Sequence, residues 1–352
     1  MKKIIFFIVT SISFLNLSAQ NEVSVGDSTA ITDAKAQEAY NQGVSLFQQK
    51  DYNAALEMFN TAIGFKPKFS KAYLNRASVK FELKKYNDAI VDLDSSIAIQ
   101  PDSNNAYFVR ANCFYALNNF EKALADYQKA TEIDPKNEKA YYYIGVINFQ
   151  NEKYKEALEA FNKAIDINPK YAYALNDRGS TKRKLKDLNG AIADYKKATE
   201  VDPKLEFAFN NLGTVYRMNK AYDKAIEAYN QAIKIKPDYY IAYNNRGFTK
   251  YEKGDYQGAV DDFSEAIRLK SDYVSAYTNR AAAKYKLKDY KGSVDDCNKA
   301  LVLDDKNAAA YLNRGISREM LRQQEGACAD WQKAYELGLK NGKIFVEQSC
   351  IE

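Results

Sequence analysis

Apolar and small side chains along this chain repeat with a period of 34 residues, and within each period they fall into two helical stripes. In the first stripe a bulky residue holds the fourth position (Tyr73, Tyr107, Tyr141, Leu175, Phe209, Tyr243, Tyr277 and Tyr311). Gly or Ala follows at the eighth, as at Gly43, Gly145, Gly213 and Gly315. In the second stripe Ala or Ser holds positions twenty and twenty-seven, from Ala55 and Ala62 to Ala327 and Ala334. Between them, position twenty-four carries Phe59, Leu93, Tyr127, Phe161, Tyr195, Tyr229, Phe263, Cys297 and Trp331. Spacings of three, four and seven put such residues on one helix face. Polar pairs such as Lys50-Asp51, Asn118-Asn119 and Gly254-Asp255 predict the turn between the two helices. Pro67, Pro101, Pro135, Pro169, Pro203 and Pro237 then stop the second helix of six units, and Ser271 and Asp305 continue the series without proline. One period predicts a helix-turn-helix hairpin, and nine hairpins fill 36–341, namely 36–69, 70–103, 104–137, 138–171, 172–205, 206–239, 240–273, 274–307 and 308–341.

This order of aromatic, Gly or Ala, Ala, aromatic, Ala and Pro resembles the tetratricopeptide repeat (TPR) over nearly the whole array. The resemblance implies an all-α fold, a right-handed α-solenoid superhelix whose first helices line a concave groove. It also implies a non-enzymatic scaffold, without cofactors, that binds a protein or extended peptide. A lone hairpin cannot bury its apolar face, so stability comes from neighbours and the last hairpin needs a cap. Asn341 to Cys350, with Ile344, Phe345 and Val346, is suited to that role, and 342–352 read as C-terminal cap and tail.

At the other end, Lys2 and Lys3 lead into an apolar run from Ile4 to Leu17 that closes on Ser18 and Ala19. About 14 helical residues reach only ~21 Å across a ~30 Å hydrocarbon core, so the pattern reads as a signal peptide over 1–19, cleaved near Ala19, and not as an anchor. Residues 20–35 then read as a flexible leader, and the mature chain as exported, periplasmic or secreted. Membrane contact is expected only through the signal peptide before cleavage or through a partner.

Composition narrows the chemistry. Histidine is absent, which removes imidazole bases and imidazole-ligated metals. There is no Gly-rich phosphate loop, Cys-x-x-Cys or metal-ligand cluster, and nearly every residue already has a place in a repeat. No catalytic, cofactor, metal or small-molecule substrate site is expected. The 51 Lys and Arg are interspersed with 46 Asp and Glu, so nucleic acid is not the expected partner. Arg183, Lys184, Lys186 and Arg217 form a short basic set that keeps an anionic glycan or nucleic acid as the weakest of three readings.

Comparing the nine units exposes which positions depend on each other. Position seven is Arg76, Arg110, Arg178, Arg246, Arg280 and Arg314 in six units, and in those units position twenty-three is Asp92, Asp126, Asp194, Asp262, Asp296 and Asp330. The other three carry Gln42 with Met58, Ile144 with Ala160 and Leu212 with Ala228. Shared presence and absence predicts an ion pair between the two helices of a hairpin. Cys113 and Cys297 fall on core positions five units apart, too far to bridge. Cys328 and Cys350 are separated by 22 residues, and antiparallel packing of the cap could join them as a disulfide. The ending from Ala327 to Cys350 also resembles the terminal cap of exported bacterial TPR proteins.

In the TPR family, positions two, five, six, nine and twelve of the first helix face the groove. Units one to four place there Tyr40, Phe47, Phe81, Phe108, Tyr115, Tyr142 and Phe149, an aromatic wall. Later units place Asn176, Asp177, Asn210, Asn211, Asn244, Asn245, Asn279 and Asn313, with Arg183 and Arg217 beyond. Each Asn offers a donor and an acceptor that match a peptide backbone group. The row of Asn75, Asn211, Asn245, Asn279 and Asn313, interrupted by Val109, Tyr143 and Asp177, resembles the asparagine ladder of the O-GlcNAc transferase superhelix, which holds extended peptides. The two-carboxylate clamp of chaperone-tail binders needs a Lys at position five, and no unit has one. A partner seated on the convex face or array ends, as in a structural subunit or assembly factor of an envelope complex, is the alternative.

Overall fold

The computed structural model describes residues 28–350, so the expected signal peptide lies outside the described residues. The described residues form nineteen helices and no strand, in two compact units divided between Asn118 and Asn119. The first unit holds α1 (Ser28–Gln48), α2 (Tyr52–Phe65), α3 (Ser70–Glu82), α4 (Tyr86–Ile99) and α5 (Asn104–Ala116). The second holds α6 (Phe120–Ile133), α7 (Glu138–Gln150), α8 (Tyr154–Ile167), α9 (Ala172–Lys184), α10 (Leu188–Val201), α11 (Glu206–Met218) and α12 (Tyr222–Ile235). It continues with α13 (Tyr240–Lys253), α14 (Tyr256–Leu269), α15 (Val274–Lys286), α16 (Tyr290–Leu303), α17 (Ala308–Met320), α18 (Gln324–Glu336) and α19 (Lys340–Ser349). Within each unit every helix packs against the next in sequence, from α1 to α5 in the first and from α6 to α19 in the second.

One boundary differs from the sequence reading. Ser28–Lys35, read as part of a flexible leader, are the first two turns of α1. The segment has no Gly or Pro to stop a helix, and it is tied to the end of α2. Asp33 pairs with Lys66 at 3.2 Å, and Lys35 lies over the Phe65 ring at 5.8 Å.

The turn inside each hairpin puts one residue, at position fifteen, in the left-handed region: Lys50, Lys84, Asn118, Glu152, Lys186, Lys220, Gly254, Lys288 and Arg322. Only Gly254 adopts it without a Cβ penalty. The second helix then starts on a side-chain cap where position sixteen is Asp or Asn, as at Asp51, Asp187, Asp255 and Asp289. Inside most hairpins, size is matched across the two helices. Gly145 and Gly213 lie so close to the rings of Phe161 and Tyr229 that a Cβ would come within 2.6 and 2.7 Å of a ring carbon. Ala77 and Ala281 at position eight go with the smaller Leu93 and Cys297, whereas Ala111 of the third repeat goes with Tyr127 at position twenty-four. Cys113 and Cys297 are free, buried thiols pushed up to about 12 by desolvation.

The arginine and aspartate positions form a clasp with more members than the sequence pairing predicts. Arg76 donates through Nε and Nη2 to both carboxylate oxygens of Asp92 (2.9 and 2.6 Å), and Lys80 Nζ adds a contact at 2.7 Å. The remaining Nη1 reaches back to Asn60 Oδ1 on the preceding repeat, at 2.7 Å. Arg178, Arg246, Arg280 and Arg314 repeat this on Asp194, Asp262, Asp296 and Asp330, reaching back to Asn162, Asn230, Ser264 and Asn298. Arg110 lies in the first unit, where it bonds Asp94 at 2.6 Å, and Asp126 lies in the second. The backward partner was legible in the sequence. Position twenty-five is Asn, Asp or Ser before an arginine-bearing repeat, but Gln128 and Lys196 before Ile144 and Leu212. Each clasp therefore joins a hairpin internally and to its neighbour.

At the C-terminus α19 lies along α18. Gly342 meets the α18 backbone, Phe345 stacks on Trp331 at 5.0 Å, and Cys328 and Cys350 are joined as a disulfide. Closing a 22-residue loop is worth about 3 kcal/mol. Reduction, or Cys350→Ser, is therefore expected to lower amide-exchange protection of α18 and α19 by about two orders of magnitude while α11 to α14 keep theirs. Equal protection with and without the bond would show that packing alone holds the cap.

Candidate functional site

The first helices carry a row of polar side chains linked from one repeat to the next, always over 35 residues. Asn211 Nδ2 donates to Asn176 Oδ1, Asn245 Nδ2 to Asn210 Oδ1 and Asn279 Nδ2 to Asn244 Oδ1, each at 3.0 Å. Asn313 Nδ2 continues the row to the Thr278 carbonyl at 3.4 Å, and in the first unit Asn75 Nδ2 donates to the Tyr40 hydroxyl at 2.9 Å. Position six thus donates to position five of the preceding repeat. The two positions consequently play different parts, which residue type alone does not reveal. Asn176, Asn210 and Asn244 are buried, their carbonyls spent on the next repeat. Asn75, Asn211, Asn245, Asn279 and Asn313 are half-buried, and each fixed amide keeps an Oδ1 and a second N–H uncommitted. An amide so held pays little further entropy on meeting a ligand.

The row changes direction at Asp177. A carboxylate only accepts, so here the preceding repeat donates: Tyr142 Oη bonds Asp177 Oδ2 at 2.9 Å, and Asn176 Nδ2 bonds Oδ1 at 2.9 Å. Desolvation raises the Asp177 carboxyl to about 6, against the lowering effect of these two bonds. The same desolvation, with the Asp177 charge, pushes the Tyr142 hydroxyl well above its ordinary value.

The aromatic wall is built more deeply than position alone suggests. Tyr142 is buried, its ring against Phe161 and Tyr171 at 5.9 and 5.0 Å, so it serves the junction and the carboxylate instead of an open face. Tyr40 is placed similarly against Phe59 and Phe69, at 5.9 and 5.0 Å. Phe47, Phe81 and Phe149, at position twelve, are half-buried on Tyr52, Tyr86 and Tyr154 of their own hairpins. Phe108 and Tyr115 are half-buried on α5. Aromatic residues are not confined to the first four repeats, because Tyr251 and Tyr285 take the same position on Tyr256 and Tyr290. With Ala282, Asn313 and Ile316 they line a niche of about 160 Å³ formed by first helices alone. Of the basic set, Arg217 pairs with Glu252 at 3.1 Å and Lys184 lies over the Tyr154 ring at 5.8 Å.

Residues 111–152, 179–220 and 249–288 match the family description TPR repeat, and two descriptions of Tetratricopeptide repeat match 138–171 with 207–239, and 40–104. The chain belongs to the tetratricopeptide repeat family. Tetratricopeptide arrays are protein-interaction scaffolds whose ligands are proteins or peptides. A tetratricopeptide repeat protein from Parabacteroides merdae superposes with a TM-score of 0.57 at 18% identity, over 70% of this chain and 99% of that one. The C-terminal part of a TPR repeat-containing protein from Cytophaga hutchinsonii gives 0.56 at 20% identity, over 68% and 98%. Yeast Tom70 gives 0.50 at 15% identity, over 91% and 96%. Identities this low carry the fold alone. Comparison with curated proteins gives no match.

The tetratricopeptide frame also locates a second concavity, where a clasp is missing. In α7 and α8, Ile144 and Ala160 replace the arginine and aspartate. The vacated space, bounded by Leu124, Gln128, Tyr141 and Asn148, is an open cleft of about 690 Å³.

Proposed function

We propose that this protein is a non-enzymatic scaffold of the cell envelope that holds an extended peptide segment of a partner along its first helices. What carries the reading is the row of position-six amides, each locked by one bond to the preceding repeat and each keeping a donor and an acceptor for a ligand backbone. The aromatic rings at position twelve supply apolar contact for partner side chains. Placement in the envelope rests on the signal-peptide pattern of residues 1–19 and agrees with the Cys328–Cys350 bond, a chemistry of oxidising compartments.

The test is affinity capture from an envelope extract, comparing the mature protein with its Asn211→Ala, Asn245→Ala, Asn279→Ala variant. That variant loses three links between repeats, together about 3 kcal/mol, so matched helicity and monomeric size are checked first. Partners released by the variant alone would place binding on the row. An unchanged partner set would move the site to another face. The specific observation favouring a second reading, a partner docked away from the asparagine row, is the cleft beside Ile144 and Ala160. Ile144→Arg with Ala160→Asp, which rebuilds a clasp there, would release such a partner and leave groove ligands bound.

A further inference from the structure

Two successive repeats are built alike around one arginine, and only one of the two arginines has a carboxylate. In the sixth repeat, Arg217 at position twelve lies near the Tyr229 hydroxyl, which donates to Thr214 Oγ1 at 3.2 Å. In the fifth, Arg183 at position twelve lies near the Tyr195 hydroxyl, which shares a hydrogen bond with Ser180 Oγ at 2.9 Å. The arginines differ in what the next repeat offers them. Position thirteen of the seventh repeat is Glu252, whose carboxylate takes Arg217 Nη1 at 3.1 Å while Phe248 lies under the guanidinium at 4.9 Å. Position thirteen of the sixth repeat is Met218, and position nine there is Thr214. Arg183 has no ion pair among the described residues, and its Nε is buried without a hydrogen-bond partner. The half-buried guanidinium of Arg183 thus lacks the carboxylate that Arg217 has, and an incoming anion would supply it.

We infer that Arg183 is a carboxylate-receiving site, which anchors an acidic group of the bound segment where Met218 leaves the position held by Glu252 one repeat later. This rests on the groove reading above and specifies it: the segment carries an Asp or Glu side chain, or its own chain terminus, in register with the fifth and sixth repeats. Glu252 on Arg217 is the chain's internal copy of that contact, so the ligand carboxylate meets the planar guanidinium fork and the neighbouring Met218 side chain, which is 45% exposed, flanks it. The pairing also gives a way to close the site from within. Met218→Glu supplies to Arg183 what Glu252 supplies to Arg217.

The experiment uses two immobilised libraries of randomised decapeptides, one ending in a free carboxylate and one in an amide. They are probed with the mature protein, with Arg183→Gln, with Met218→Glu and with the triple asparagine variant. Peptides held by the unaltered protein are expected to be enriched in Asp or Glu at one fixed position, or to require the free terminus. The best of them, measured by fluorescence polarisation, should bind Arg183→Gln and Met218→Glu at least tenfold more weakly. Salt should weaken its binding to the unaltered protein more than its residual binding to either variant. Equal selection by both libraries assigns a side-chain carboxylate, and dependence on the free acid assigns the chain terminus. If peptides bind but acidic selection is absent, or persists unchanged in Arg183→Gln and Met218→Glu, the carboxylate site is wrong and the groove reading stands. If the unaltered protein retains no peptide from either library, both fall. Met218→Glu adds a partner instead of removing one, so it decides the matter even if Arg183→Gln folds poorly.

Discussion

Arg246→Leu is expected to lower the free energy of unfolding by about 3 kcal/mol, and adding Asp262→Ala is expected to recover most of that loss. The single change leaves Asp262, only 5% exposed, without its bidentate partner, and it removes the reach of Arg246 to Asn230 on the preceding repeat. Lys250 stays on Asp262 Oδ2 at 2.9 Å, which keeps the loss at the lower end of what stranding a buried charge costs. Removing the aspartate as well removes the stranded charge, and Lys250, 21% exposed, can turn to water. The chain already contains the double variant, since Leu212 with Ala228 fills the same two positions one repeat earlier. Urea unfolding of the three proteins is the measurement. A double variant no more stable than the single one would mean that the aspartate is not what makes the arginine necessary.

The second large effect concerns Asp177. Its carboxyl is raised by desolvation from 3.8 to about 6, so the folded chain holds the proton more tightly than the unfolded one between those values. Stability from this group is complete below about pH 4 and is lost as pH rises through 6. Holding the proton from 3.8 up to about 6 amounts to about 3 kcal/mol. Asp177→Asn does not titrate, and its amide can accept from Tyr142 as the carboxyl does. The variant is therefore expected to be more stable than the original chain at pH 7.5, by about 3 kcal/mol more than at pH 3.5. Denaturant unfolding at the two pH values reads this double difference directly, and a difference that does not change with pH would mean that Asp177 stays hydrated.

The hairpins were legible because the signals that make them lie within one repeat: a proline every 34 residues in the first six, and small residues seven apart with a large one between them. The start of α1 was not, because Ser28–Lys35 carry no boundary cue and are held by Lys66 and Phe65 of a different helix. The asparagine row shows the same division. Composition puts amides at positions five and six, but which of them is spent depends on how far one hairpin is offset against the next, and that offset is a property of packing. Tyr142 illustrates the cost of reading a position by residue type alone. An aromatic on the groove stripe proves to be the buried donor to Asp177. The backward reach of each arginine to position twenty-five lay within the sequence, in a comparison that must be made between repeats and not inside one.

The distribution of clasps bears on how the second unit comes apart. In a linear array the free energy of a partly unfolded state depends on where the boundary between folded and unfolded segments falls, and the boundary settles at the weakest coupling. The fourth and fifth repeats are fastened to each other through Arg178 and Asn162, and the sixth to ninth through Arg246, Arg280 and Arg314, whereas the entries to the fourth and the sixth have Ile144 and Leu212 instead. These two junctions lack that fastening. Hydrogen exchange across the second unit is expected to show its first openings there, in blocks of two and four repeats, and uniform protection would mean that apolar packing couples the repeats as well as the arginine does.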